Sequence, residues 1–260
     1  MVGTRAVQSG VTPSRTESTP AARRIRPLPA LLVNQIAAGE VVDRPASVVK
    51  ELVENALDAG ATRVAVELEQ GGIELVRVSD DGCGIAPDEL PLAVAPHATS
   101  KIAEATDLDR IATLGFRGEA IASIASVSRL SIRSRTTADT GASQIDVEGD
   151  AVSSVRPAPG PIGTSVTVRN LFFNTPARRK FLRTPTTEQG RCMDWLRDLA
   201  MAHPAIGFAV TNDGRRSLEL PPNQSPRERV LAIIGEELED QLIEVSLDQF
   251  DDARGMAIWG

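Results

Sequence analysis

The sequence predicts an α+β fold, with helices laid on one face of a mostly antiparallel sheet and a smaller α/β region after it. Three observations carry this. Alternating apolar and polar residues recur over 63–79, 129–170 and 208–220, the period of half-buried strands. Gln70-Gly71-Gly72 and Asn212-Asp213-Gly214 supply hairpin turns, which antiparallel neighbours need. Two longer stretches, after Arg44-Pro45 and over 189–202, instead space their apolar residues three and four apart, as a helix lying on a core does.

Taken in order, residues 1–24 are rich in Ser, Thr, Pro, Gly and Arg and bury too little to offset ordering entropy, so they read as a disordered tail. Order begins near Ile25, with a short helix and connector over 28–42. Asp43 is the expected cap of a helix opened by Pro45 and closed by Gly60. A hairpin follows, with Val64, Val66 and Leu68 on one face and Ile73 and Leu75 facing inward from its partner. Pro87, Pro91 and Pro96 punctuate 85–114, which reads as a lid that orders over a ligand. A helix is expected over 117–127, then strands over 129–135, 142–148, 152–156 and 165–170. Past 182–188 the pattern restarts, with Met193, Leu196, Leu199 and Ala200 as a helical stripe, a hairpin over 208–220, a helix from Ser225-Pro226 to Gly235, and strands over 243–247 and 256–259. This places a domain boundary near 182–188: one domain over 25–184, and a second α/β domain over 185–260 that ends as if incomplete.

Composition narrows the function classes. The 260 residues are 42 % hydrophobic, enough for a real core, yet only 3 % aromatic, so packing rests on Ala, Val, Ile and Leu. A net charge of −7 argues against uniform coating by nucleic acid and leaves room for a local basic groove. With Cys83 and Cys192 as the two cysteines, a disulfide framework and a CxxC metal motif are excluded. No apolar run has the length of a membrane span and no signal peptide is visible, so a cytosolic location, nuclear in a eukaryote, is expected.

The residues that can carry chemistry cluster early. On a helix Glu51, Asn55 and Asp58 share one edge while Leu52, Val53, Ala56 and Leu57 face the core. A strand then ends at Asp80, followed by Asp81-Gly82-Cys83-Gly84, where glycines admit a ligand to the backbone and Asp80 offers a fixed acceptor. Each element has a plainer reading: Glu51 as a surface residue like Glu54, Asn55 as an exposed amide, Asp-Asp-Gly as a turn. His97 and His203 stand too isolated for a metal site.

It is the order of motifs that decides. Glu51 to Asn55, Asp80 to Gly84 and Gly115-Phe116-Arg117-Gly118-Glu119 resemble the nucleotide-binding boxes of the GHKL ATPases. Within them, 34–42, 97–101 and 174–181 resemble signatures of the MutL family of DNA mismatch repair. The resemblance covers about 28–182. It implies the GHKL (Bergerat) sandwich, with ATP and magnesium as cofactors. Glu51 would be the general base that orients water on the γ-phosphate, and Asn55 the magnesium ligand. Asp80, shaped by Gly82 and Gly84 and supported by Thr164, would accept from the adenine amine. Thr99, Ser100, Lys101 and Gly115 to Glu119 would close over the phosphates, with backbone N–H groups of 115–118 ahead of a direct Arg117 contact; Arg117 has a structural ion pair as its alternative. The positive end of the helix starting near Arg117 would assist. The family carries a basic residue where this chain has Pro96. Segment 174–181 would link the domains, or meet DNA phosphates through Arg178, Arg179 and Lys180.

The implied function is a slow ATP-hydrolysing switch that dimerises its N-terminal region on ATP. Its partners would be the mismatch-recognition protein, DNA without sequence preference, and a downstream nuclease or helicase, with no membrane. The alternative is a nucleotide- and DNA-binding clamp fragment with little turnover, since the family's γ-phosphate lysine comes from a later part of the second domain. A sensor histidine kinase shares the boxes but needs a phosphoacceptor His upstream of Glu51, and none is present.

Overall fold

The structure, a computed structural model, describes residues 33, 35, 38–39, 41–96, 98, 119–243, 246–250 and 255–259. The expectations for the tail and for most of 99–118 lie outside them. Nine strands build one sheet: β1 (Arg63–Glu69), β2 (Leu75–Asp80), β3 (Arg129–Arg135), β4 (Ala142–Glu148), β5 (Ala151–Val152), β6 (Arg156–Ala158), β7 (Gly163–Arg169), β8 (Gly207–Asn212) and β9 (Arg215–Leu220). They run in the order β5-β4-β3-β7-β2-β1-β8-β9, with β6 paired to β4. Every pairing is antiparallel except β1 with β8. Helices α1 (Pro45–Asp58), α2 (Leu90–Ala93), α3 (Ala120–Ser126), α4 (Pro176–Arg179), α5 (Pro185–Ala202) and α6 (Pro226–Ile234) complete the frame, and β10 (Ser246–Phe250) pairs with β11 (Gly255–Trp259) in a separate two-stranded sheet.

Register explains the core. Val66, Val78, Val166, Ile132 and Ile145 lie side by side across β1, β2, β7, β3 and β4. Leu68, Val76, Val168, Leu130 and Val147 form the next row, and all ten are buried. Burying each such side chain is worth about 1.5–3 kcal/mol. The opposite face carries exposed or half-exposed ion pairs, Arg77 with Glu67, Arg129 with Glu148 and Arg156 with Asp146, each worth roughly 0–1 kcal/mol. The apolar rows, not the ion pairs, hold the sheet to its helices. The expected hairpin is present, but its second strand is phased differently. Val76 and Val78 join the rows because they pair with Leu68 and Val66, and Leu75 faces the other side, opposite Arg169 and Glu69.

Helix α1 buries Val48, Val49, Leu52, Val53 and Ala56. Its N-cap is Arg44, without a side-chain cap; Asp43 instead accepts from the Arg44 guanidinium (2.8 Å) and the Ser47 hydroxyl. Glu54, expected in solvent, is 8 % exposed, with the Lys50 ammonium 3.8 Å away. Residues 185–220 extend the same sheet: α5 packs on α1, and β8 lies parallel to β1 within one continuous core. Asp213 locks this junction, its carboxylate accepting the Gln70 N–H (2.9 Å) and its N–H reaching the Leu68 carbonyl (2.8 Å).

A fully buried arginine pins α6 to the end of α5. The Arg229 guanidinium donates to the carbonyls of Ala200, His203, Pro204, Ile206 and Pro221 at 2.7–3.3 Å and to the Gln224 amide at 2.6 Å. It takes up carbonyls left over where α5 ends, at the negative pole of that helix. Arg229→Met should therefore leave several buried carbonyls unpaired and cost roughly 3 kcal/mol or more, read as a lower urea midpoint. A midpoint within about 0.5 kcal/mol of wild type would contradict this reading.

Candidate nucleotide site

At one end the core-facing side of the sheet turns polar. Along alternate residues β2 runs Val76, Val78, Asp80; β7 runs Val168, Val166, Thr164; β3 runs Leu130, Ile132, Ser134. Three polar side chains thus stand on neighbouring strands where the alternation calls for another apolar row. Asp80 Oδ1 accepts the N–H groups of Gly82 (2.9 Å) and Thr164 (3.2 Å), and its Oδ2 makes no hydrogen bond among the described residues. Burial pushes the Asp80 carboxyl above its ordinary value of 3.8; the two N–H bonds oppose the shift and the Asp81 charge adds to it. Ser134 Oγ lies 2.8 Å from Thr164 Oγ1, accepts the Ile85 N–H (2.7 Å) and sits 3.1 Å from the Gly163 carbonyl.

The loop after β2 is stitched to the end of α1. Asp81 accepts from the Thr62 N–H (2.7 Å), the Thr62 hydroxyl (2.5 Å) and the Arg63 N–H (2.8 Å), and Cys83 N–H donates to the Ala59 carbonyl (3.0 Å). Burial would raise the Asp81 carboxyl, but those bonds outweigh it and hold the group below its ordinary range. Two glycines are dictated by close approach. A Cβ at Gly84 (φ +76°) would meet the Arg135 carbonyl at 2.2 Å, and one at Gly163 (φ +110°) would meet the Asp80 carbonyl at 2.0 Å. Gly82 is equally confined, by Ala59.

Glu51 and Asn55 are half-buried one turn apart on α1, the helix whose end this loop grips. Glu119 is the N-cap of α3, which begins at Ala120 and not near Arg117 as expected. Thr99, Ser100, Lys101, Gly115, Phe116, Arg117 and Gly118 lie outside the described residues, so the structure assembles Asp80, Gly82, Gly84 and Thr164 beside the helix of Glu51 and Asn55 and leaves the phosphate-closing segment unplaced. Among the described residues no group of three or more His, Cys, Asp or Glu could hold a metal ion. Sequence reading missed Ser134, Asp81 and Gly163; the alternation Leu130, Ile132, Ser134 was the available signal for the first.

Segment 174–181 reaches three neighbours. Asn174 Nδ2 donates to the Ser126 carbonyl at the end of α3 (2.9 Å), and Arg179 pairs with Glu74 (2.9 Å). The Arg178 guanidinium lies over Gly39, where a Cβ would come within 2.3 Å of it. Phe181 is 82 % exposed. Of the cysteines, Cys83 is exposed in the loop, whereas burial, with help from Glu188, pushes the Cys192 thiol up to about 12.

The buried carboxylate makes a prediction about stability. Since the folded-state pKa of Asp80 is raised, the folded chain holds this proton more tightly than the unfolded chain, and ionised Asp80 is a net cost above that pKa. Asp80→Asn should keep both N–H acceptances and melt at or above the wild-type temperature at pH 7, the difference shrinking on acidification. A marked drop at pH 7 would show that the charge itself stabilises the loop.

Residues 43–162 match the family described as histidine kinase-, DNA gyrase B-, and HSP90-like ATPase. The DNA mismatch repair protein MutL of Xanthomonas oryzae pv. oryzae is 55 % identical over 222 residues, 85 % of this chain and 36 % of its own length. That of Azotobacter vinelandii is 53 % identical over 242 residues, 91 % of this chain and 37 % of its own. The chain therefore spans little more than a third of the curated relatives it matches. The Aquifex aeolicus MutL ATPase domain complexed with ADP superposes with a TM-score of 0.62 at 34 % identity, over 80 % of this chain and 73 % of that one. Among the described residues no helix is long and apolar enough to cross a membrane. Sequence, fold and site geometry agree: this chain belongs to the MutL family of GHKL ATPases.

Proposed function

We propose that the chain is the ATP-binding, slowly hydrolysing switch of a DNA mismatch-repair protein, pairing its N-terminal region with a second copy when ATP binds. The observation that carries this is the polar row of Asp80, Thr164 and Ser134 beside α1. An acceptor oxygen held rigid by two backbone N–H groups suits the exocyclic amine of adenine and disfavours guanine, which presents a carbonyl there. The ADP complex of the Aquifex aeolicus relative supports an adenine nucleotide.

Glu51 is assigned as the base that orients the attacking water, and Asn55 as the magnesium ligand. With no carboxylate cluster among the described residues, a single amide oxygen fits an ion that takes its remaining ligands from water and phosphate. The ion supplies charge neutralisation at the phosphates; Glu51 holds the water and accepts its proton. Thr99, Ser100, Lys101 and Gly115 to Glu119 are proposed to close over the phosphates. Segment 174–181, touching α3, Glu74 and Gly39, is proposed to pass closure on to a second domain that begins after the main sheet, near 243. The mismatch-recognition protein, DNA and a downstream nuclease or helicase are the proposed partners, in the bacterial cytoplasm at the nucleoid or in a eukaryotic nucleus. The rival reading, a nucleotide- and DNA-binding clamp with little turnover, separates from this one by rate.

The test is calorimetric binding of a non-hydrolysable ATP analogue with magnesium, paired with sizing and a phosphate-release assay. Wild type should bind and shift toward dimer. Glu51→Gln should keep affinity within a few-fold while turnover falls about 100-fold or more, the usual contribution of a general base. Asn55→Ala should lose the magnesium-dependent part of binding. Binding without turnover in wild type would favour the clamp; no binding would overturn the ATPase reading.

A further inference from the structure

The row leaves one hydroxyl without a role. Ser134 is 1 % exposed and carries one proton. Its Oγ already accepts the Ile85 N–H and faces two partners, Thr164 Oγ1 at 2.8 Å and the Gly163 carbonyl at 3.1 Å. Two proton arrangements satisfy these contacts. If Ser134 donates to Gly163, Thr164 must donate back to Ser134 and presents only lone pairs to a ligand. If Ser134 donates to Thr164, the Thr164 proton is released toward the ligand. Ionised Asp80 is acceptor-only. The choice therefore sets whether the row reads acceptor–acceptor or acceptor–donor. Adenine offers an amine donor beside a bare ring nitrogen, the complement of acceptor–donor. Hypoxanthine offers a carbonyl beside a ring N–H.

We propose that Ser134 is a specificity-determining positioning residue: by donating to Thr164 it turns the Thr164 proton toward the base and fixes the row in the adenine-reading arrangement. The shorter of its two contacts is the one to Thr164, at the usual O–H···O distance. The same oxygen anchors Ile85, so loop position and hydroxyl polarity share one atom. This rests on the adenine-nucleotide reading above.

The test is the ratio of calorimetric affinities for ADP and inosine diphosphate, each with magnesium, in wild type, Ser134→Ala and Ser134→Thr. Wild type should prefer ADP. Ser134→Ala frees the Thr164 rotor and should erode that preference by up to roughly tenfold, the scale of one well-placed hydrogen bond. Ser134→Thr, which keeps the hydroxyl, should restore it. If Ser134→Ala does not fold, Ser134→Cys reads the same ratio with a weak donor in its place. A preference unchanged within about twofold, even with both affinities lowered, would make Ser134 a mere anchor for Ile85 and overturn the proposal. A wild type that binds neither diphosphate overturns the nucleotide reading and this inference with it. A wild type that prefers ADP while Ser134→Ala keeps that preference overturns only the role of Ser134.

Discussion

Much of this molecule is arranged around a carboxylate that its own backbone holds in place. Asp80 ends β2 on the core side of the sheet, where alternation would put a valine, and two N–H groups fix one of its oxygens. That arrangement needs β7 to begin at a glycine, because a Cβ at Gly163 would strike the Asp80 carbonyl. It also needs the following loop to turn back under α1, which Asp81 and Cys83 achieve by bonding to Thr62, Arg63 and Ala59. An unpaired carboxylate buried this far is costly, and the raised pKa records that cost.

The surrounding fold keeps the row in register. Two complete apolar rows lie directly behind it, and a one-residue slip of any strand would carry both rows to the solvent face. The position of a polar site is thus fixed by apolar packing. Farther from the row, α5 packs on α1, β8 extends the sheet past β1, and Arg229 secures the end of α5. The helix that carries Glu51 and Asn55 is therefore braced from both sides.

Most of the elements were legible from period alone. Strands β1, β3 and β4, the Asn212-Asp213-Gly214 hairpin and the Ser225 helix start, with its capping box to Glu228, all fall where alternation and turn chemistry place them. The phase of β2 was not, because Leu75 and Val76 are both buried and either could face inward. Nor was the parallel pairing of β8 with β1, which continues the sheet beyond residue 182. A parallel neighbour arrives by a long crossover and leaves no local turn to read. In the site, Asp80, Gly82, Gly84 and Thr164 were legible from motif order. Ser134 was not, because a serine at the end of a strand is ordinary until its neighbours across the sheet are known. The burial of Glu54 and of Arg229 likewise depends on partners distant in sequence.

The measurement that addresses the central claim most directly is a crystal structure of this chain with ADP and magnesium. The account predicts the adenine amine within about 3 Å of Asp80 Oδ2, with Oδ1 still bonded to Gly82 and Thr164. An adenine ring bound elsewhere, or an Asp80 carboxylate turned away from the base, would contradict it.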